Sequence, residues 1–368
     1  MYGSSFGKVL KLTTWGESHG PALGAVLDGF PAGFSLRAED IQDYMDRRRP
    51  GRSPVSTARS EADKVEILSG VFEGVTTGTP ISLLIRNTSQ HSGDYDNLRN
   101  CYRPGHADYT YDRKYGIRDH RGGGRSSGRE TAARVAAGAI GALFLKELGV
   151  DICAYTKSIG PVQIREDAFS RDLIRSTATC MPDEEADRAA QEYLNRCRQE
   201  QDSAGGVIEC IMSGVPAGIG DPVLDKLDAR LAQAIMSIGA VKAVEIGDGT
   251  QVSVRKGSEN NDAFTCESGQ ITKKTNHAGG ILGGISDGSP IVLRAYVKPT
   301  PSVFRPQETV DRDGNPQEIV ITGRHDPVIV PRAVVVTECM CAAVLLDAML
   351  AHMTSRAQNV ISFYRRDS

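Results

Sequence analysis

Aromatic residues are scarce in this 368-residue chain, 6% with a single Trp, and no aromatic stacking motif of the kind that binds single-stranded RNA stands out. An excess of charge of either sign is lacking as well. The 43 Lys and Arg stand against 46 Asp and Glu, a net charge of -3, so basic clusters are local concentrations suited to a small anion rather than to a nucleic-acid backbone. Eight cysteines, at 101, 153, 180, 197, 210, 266, 339 and 341, include no CxxC pair, and no apolar signal segment precedes Phe6, which together lead us to expect reduced thiols in a cytoplasmic protein. No long apolar run is free of charge. The most apolar, Ala333 to Met353, carries Glu338, Asp347 and His352, which favours a buried core helix over a membrane span. No GxGxxG follows the first strand and no GxxxxGK[ST] occurs, so neither a Rossmann nor a P-loop nucleotide site is supported.

What the chain does have is concentrated between Arg103 and Gly138. Gly122, Gly123 and Gly124 free the backbone to approach a ligand, and Arg103, Arg118, Arg121, Arg125, Arg129 and Arg134 crowd around them with His106, Asp108 and His120. Ser127 and Glu130 fit a capping box, which predicts a helix start where orphan amides and the helix dipole favour an anion. That helix is expected to run through an Ala- and Leu-rich stretch to about Leu148 and to stop at Gly149.

Earlier in the chain, strands over Phe6 to Thr14 and Leu23 to Leu27 are predicted to flank the loop Trp15 to Pro21, in which Glu17, Ser18 and His19 either carry chemistry or decorate a hairpin turn. A helix from about Leu36 to Arg49 ends at Pro50, and Arg47, Arg48 and Arg49 either satisfy its dipole or form a second anion site. Strands are expected at Val65 to Phe72 and Pro80 to Ile85, followed by a long polar loop from Asn87 to Arg121, long enough to be functional or disordered. Beyond the capped helix come a strand at Asp151 to Ile159, a polar, solvent-facing helix at Asp183 to Gln201 and a strand at Val207 to Ser213. They are followed by a helix at Pro222 to Ile238, a strand at Val241 to Ile246, a polar loop at Arg255 to Gly280, and strands at Ile291 to Val297 and Glu318 to Ile321. Two segments recur: Gly29-Phe-Pro-Ala-Gly33 as Gly214-Val-Pro-Ala-Gly218, and GVFEGVTTGTPI from Gly70 as GILGGISDGSPI from Gly280. Two related halves, about 1–200 and 201–368, packed as a single domain, are therefore expected. A pseudo-twofold would bring the loop before the Arg125 helix and the loop Gly323 to Pro327 toward one cleft.

With these pieces placed, the sequence resembles the chorismate synthase family over nearly its whole length. The resemblance rests on GESHG at 16–20, RRRPG at 47–51, SGVFEGVTTGTPI at 69–81, RPGHADYTYDRKYG at 103–116, RGGGRSSGRETAARVAAGA at 121–139, NHAGGILGGISDG at 276–288, KPTPS at 298–302 and GRHDP at 323–327. It implies an α+β fold, a β-α-β sandwich with long central helices between antiparallel sheets and an internal two-fold pseudo-repeat, assembled as a homotetramer. It also implies 1,4-elimination of phosphate from 5-enolpyruvylshikimate 3-phosphate to give chorismate, with reduced FMN but no net redox change, and NADPH as a candidate reductant.

Carried over by position, Arg125, Ser126, Ser127, Gly239, Ala240, Gly283, Lys298, Pro299, Thr300, Pro301, Ser302 and Arg324 match the flavin-contacting places. Arg48, Arg49, Arg134 and Arg324 match those for the substrate's phosphate and carboxylates, with Arg48 also at the NADP position, and arginine forks suit such groups. His19 and His106 match the two catalytic histidines, and Asp326 is the candidate base for the C6 proton. No metal is implied. The chain departs from the family at Pro54, often Arg, and at Gly239, often Asn. A flavin-dependent oxidoreductase acting on a small phosphorylated or carboxylated substrate is the rival reading, and an RNA-binding module using RGGGRSSGR is the rival from another class.

Overall fold

The computed structural model describes residues 3–51, 61–88, 99–321 and 326–365. Strand β1 (Ser5–Phe6) and β2 (Lys11–Gly16) lead into β3 (Ala22–Asp28), and α1 (Ala38–Arg48) connects to β4 (Val65–Ser69). A small hairpin of β5 (Val71–Phe72) and β6 (Val75–Thr76) precedes β7 (Ile81–Arg86), after which a long connection holding α2 (Asp108–Tyr115) reaches α3 (Thr131–Glu147). Then come β8 (Asp151–Ile159), β9 (Val162–Gln163), α4 (Leu173–Ser176), α5 (Glu184–Gln199), β10 (Gly206–Ser213), α6 (Leu227–Met236) and β11 (Val241–Ile246). A helical turn α7 (Gly257–Asn260) and two hairpins, β12 (Phe264–Glu267) with β13 (Gln270–Lys273) and β14 (Ile281–Leu282) with β15 (Ile285–Ser286), lead to β16 (Ile291–Val297). A last hairpin, β17 (Gln307–Val310) with β18 (Pro316–Ile319), precedes α8 (Val330–His352) and α9 (Ala357–Tyr364).

Two five-stranded antiparallel sheets result, ordered β1-β2-β3-β7-β4 and β11-β16-β10-β8-β9. Alternation explains their faces: Leu23, Ala25 and Leu27 of β3 and Ile81, Leu83 and Ile85 of β7 point inward, as do Ile291, Leu293 and Ala295 of β16. The inward face of the first sheet packs on α3 and that of the second on α8, while α3 and α8 pack on each other. Both helices are apolar nearly all round because both are enclosed. Gly138 allows their close approach, since a Cβ there would lie 2.4 Å from the carbonyl oxygen of Cys339.

Helix α8 is long and apolar enough to cross a membrane, yet it is buried in the protein core, as its charges foretold. Both carboxylates are fully partnered, which is the condition for burying them. Glu338 accepts a two-pronged pair from Arg47 at 2.8 and 2.6 Å. Asp347, wholly buried, accepts the amides of Lys8, Val9 and Leu10 at 2.7–3.0 Å and pairs with Arg230, fastening the N-terminal segment to the core.

The element boundaries depart from the sequence reading where glycine or a polar sequence intervenes. The expected strand Phe6 to Thr14 is broken at Gly7 (φ +95°) and the one over Val65 to Phe72 at Gly70 (φ +81°), both left-handed positions. The polar loop before Arg121 contains α2, and the one after Arg255 contains α7 and β12–β13. Helix α5 is half-buried rather than wholly solvent-facing, because Ala186, Ala190, Leu194 and Cys197 form an inward stripe.

Candidate active site

Gly122 and Gly123 lie between the two histidines. A Cβ on Gly122 would sit 2.3 Å from Nδ1 and Cε1 of His19, and one on Gly123 would sit 3.2 Å from Nε2 of His106. Side chains 87 positions apart in sequence thus flank neighbouring residues of one loop. His19 is carried by the turn between β2 and β3, with the buried Ser18 hydroxyl 3.0 Å from its Nδ1. Asn87 braces that turn by donating to the carbonyls of Glu17 (3.0 Å) and Gly20 (2.8 Å) while accepting from Arg129 Nε (2.9 Å). His106 opens the turn into α2, its Nδ1 3.1 Å from Asp108 Oδ1. Burial alone would raise the Asp108 pKa, but hydrogen bonds from Arg103 and His106 and their charges hold it well below the ordinary carboxylate range.

After the glycines, Arg125 is tied to β2, donating to Thr14 Oγ1 at 2.7 Å and to the Gly16 carbonyl at 3.1 Å. Ser126 donates to the Gly123 carbonyl at 2.6 Å. Ser127 caps a turn of 3-10 helix, Gly128–Glu130, that runs into α3, accepting from the Arg129 amide at 3.2 Å. The expected capping box does not form: Ser127 caps the Arg129 amide rather than that of Glu130, and the Glu130 carboxylate turns forward to Arg134 (3.0 Å). Arg134 in turn donates to Ser237 Oγ at 2.6 Å and its carbonyl at 3.1 Å, joining α3 to the end of α6.

The 298–302 run closes on the same place from the other half of the chain. Lys298 Nζ donates to the Gly105 carbonyl at 2.7 Å, and Pro301 lies where a Cβ on Gly105 would be 3.0 Å away. The Lys298 amide donates to the carbonyl of Ala240, a non-glycine residue at φ +71°. Such a backbone costs about 1–3 kcal/mol and is usually kept for a reason of function. Gly239 beside it has no described atom within 4 Å of where a Cβ would stand, so a side chain there would be accommodated sterically. Pro299 packs near Gly205, Ser302 is buried, and Thr300 Oγ1 is buried without a hydrogen-bond partner among the described residues. Gly283 lies in the turn of the β14–β15 hairpin, whose Gly284 carbonyl receives the Leu227 amide at the start of α6.

Of the arginine triplet, Arg47 serves Glu338, and half-exposed Arg49 lies 3.5 Å from Asp46. Arg48 is 1% exposed. It pairs with Asp63 and reaches Thr131 Oγ1 (3.3 Å) and the Gly128 carbonyl (3.4 Å), so it anchors α1 to the start of α3. Burial pulls its pKa down to about 10 against the opposing charge of Asp63, and Nε has no hydrogen-bond partner among the described residues. Asp63 is shared with Arg129, which also pairs with Glu61 at 2.6 Å. Asp326 pairs with Arg332, whose Nε donates to the Arg48 carbonyl at 3.1 Å, so this carboxylate sits against the end of α1. Arg324, Arg52, Arg59 and Pro54 lie outside the described residues.

Sequence reasoning named Ser18 with its loop but passed over Asn87 and Arg332, which act across 42 and 284 residues of chain and carry no local signal.

The fold and site define an α+β protein in which glycines, histidines, hydroxyls and arginines from both halves of the chain meet at the start of a buried helix. The family model for chorismate synthase matches residues 10–350. A chorismate synthase of Lachnoclostridium phytofermentans is 57% identical over 367 residues, covering 100% of both chains. One from Methanosarcina mazei is 53% identical, covering 95% of this chain and 97% of its own. A crystal structure of chorismate synthase matches with a TM-score of 0.76 and 32% identity over 98% of this chain and 97% of that one. This chain belongs to the chorismate synthase family.

Proposed function

We propose that the protein converts 5-enolpyruvylshikimate 3-phosphate to chorismate by 1,4-elimination, in the shikimate pathway, with reduced FMN and no net redox change. The C3–O bond to phosphate breaks and a C6 proton leaves, so the products are chorismate, phosphate and a proton. The observation that carries the reading is the placement of His19 and His106 on adjacent glycines of a loop that opens a helix and is met by Lys298 to Ser302.

The residues present suit a flavin. Among the described residues, Thr300 Oγ1 is a buried hydroxyl without a partner, and Gly124 and Gly239 border open space. Residues 125–127, 239–240 and 298–302, with Gly283 and Arg324, would hold it. When bound, reduced FMN supplies transient electron donation that helps expel phosphate. Of the chain's own groups, protonated His19 gives its proton to the departing phosphate, and His106 presents positive charge beside the flavin. Arg49, Arg134 and Arg324 take the substrate's phosphate and carboxylates, while buried Arg48, paired with Asp63, anchors α1 to the start of α3. Asp326, paired with Arg332, receives the C6 proton as a weak base. We further infer a cytoplasmic homotetramer whose subunits each contain two related halves. The element order supports the duplication with its boundary near residue 150 rather than 200, since β2-β3-β7-β4 and β8-β10-β16-β11 are ordered alike and each set is followed by a central helix, α3 or α8.

An anaerobic assay with pre-reduced FMN tests the reading. Chorismate and phosphate should appear in equal amounts while flavin stays reduced. Stoichiometric flavin oxidation would favour the oxidoreductase instead, and absence of chorismate would overturn the assignment. Oxidised FMN with NADPH should not replace reduced FMN, because Arg48, at the NADP position, is buried.

A further inference from the structure

We propose that Asp108 is a positioning residue for His106, fixing the ring as the tautomer with hydrogen on Nδ1 and leaving Nε2 to face the glycine loop as the proton-exchanging atom. This rests on the reading of His106 as part of the reaction and assigns a role to a carboxylate that reading does not use.

Hydrogen counting carries the argument. His106 Nδ1 has two close neighbours, Asp108 Oδ1 at 3.1 Å and Arg103 Nη2 at 3.1 Å, and these demand opposite tautomers. Arg103 Nη2 has two hydrogens. It approaches Asp108 Oδ1 at 2.7 Å and the Gly122 carbonyl at 3.1 Å, and those two acceptors use both. None remains for the imidazole. Nδ1 must therefore carry its own hydrogen and donate it to Asp108, and Nε2 is left on the side of Gly123, 3.2 Å from where a Cβ would stand.

The carboxylate is itself held in place. It is 3% exposed and accepts from the Arg103 amide at 3.0 Å, from Arg103 Nε at 2.7 Å and from Arg118 at 3.1 Å. Those contacts and the Arg103 bond to Gly122 connect Asp108, His106 and the glycine loop as one rigid group. A ligand or proton-transfer histidine is ordinarily oriented this way, through the nitrogen it does not use. At His19, Nδ1 lies 3.0 Å from the Ser18 hydroxyl.

The test uses the whole protein labelled with 15N-histidine, read by NMR across a pH titration, together with Asp108→Asn in wild-type and His106→Ala backgrounds. Hydrogen on His106 Nδ1 throughout the titration is expected. A neutral ring with hydrogen on Nε2 alone would overturn the proposal, and this readout survives if Asp108→Asn does not fold. In a folded Asp108→Asn protein, turnover should fall by about 10²-fold or more, but by only a few-fold once His106 is Ala, because the carboxylate acts through that ring. Equal losses in both backgrounds would mean a purely structural role and also overturn it. A wild-type protein that makes no chorismate would refute the proposed function instead, while the tautomer measurement still decides whether Asp108 positions the ring.

Discussion

Replacing Gly138 and Gly141 of α3 by alanine, one at a time, should move stability in opposite directions. Both sit mid-helix, where alanine is favoured over glycine by about 1 kcal/mol. At Gly141 the nearest atoms to a new methyl are 3.6–3.7 Å away, ordinary contact distances, so Gly141→Ala should keep the propensity gain. At Gly138 the methyl would fall 2.4 Å from the carbonyl oxygen and 2.6 Å from the Cβ of Cys339. Neither atom is the end of a flexible side chain, so α3 and α8 must separate along their contact. Overpacking of a well-filled core costs about 1–3 kcal/mol and occasionally more, and contact with backbone belongs at or beyond the top of that range. Gly138→Ala should thus destabilise by roughly 1–3 kcal/mol net of propensity. Urea unfolding followed by far-UV circular dichroism would read both variants as shifts in midpoint. Because α3 begins at the glycine loop, Gly138→Ala should also weaken reduced-flavin binding, whereas Gly141→Ala should not. Midpoints that move the same way would refute the claim that close helix approach at Gly138 sets the geometry of this core.

Gly122→Ala should lose at least about 10²-fold in turnover while the protein stays folded, since its methyl would displace the His19 ring and its φ of +93° disfavours alanine. Near-normal rates would argue that His19 does not work from this position. Asp326→Asn keeps shape but removes basicity, so turnover should drop by about 10²–10⁴-fold with flavin and substrate still bound; a loss explained wholly by absent flavin binding would reassign Asp326 to support. The folded pKa values of Asp63 and Asp108 lie below their ordinary values, so each contributes stability that is complete above pH ~4 and disappears as pH falls through the folded pKa. The urea midpoint should accordingly change little from pH 7 to 5 on their account and fall steeply below ~4, and a protein equally stable at pH 3 would show that these pairs contribute nothing net.

Much was determined locally. Apolar alternation and period placed β8, β10, β11, β16 and the long helices within a few residues, because a strand or helix that buries one face must repeat that face in sequence. Gly149 ended α3 where a left-handed residue was expected, at φ +77°. The composition of the site was legible too, since clustered glycine, histidine and arginine stand out against a near-neutral chain. Helix α2 was not, as DYTYDRKY has no apolar stripe and is held by tertiary pairs such as Arg103 with Asp108 and Arg312 with Asp112. Only the folded chain decided which arginines face outward. Arg47, Arg48 and Arg49 are adjacent and alike in sequence, yet one pairs with a helix 291 residues away, one is buried against the start of α3 and one is half-exposed. The same holds for His19 and His106, brought to neighbouring glycines by two separate loops. A charged side chain must be paired if it is buried, and its partner is chosen by the packing of helices and sheets around it, a distance no local pattern records.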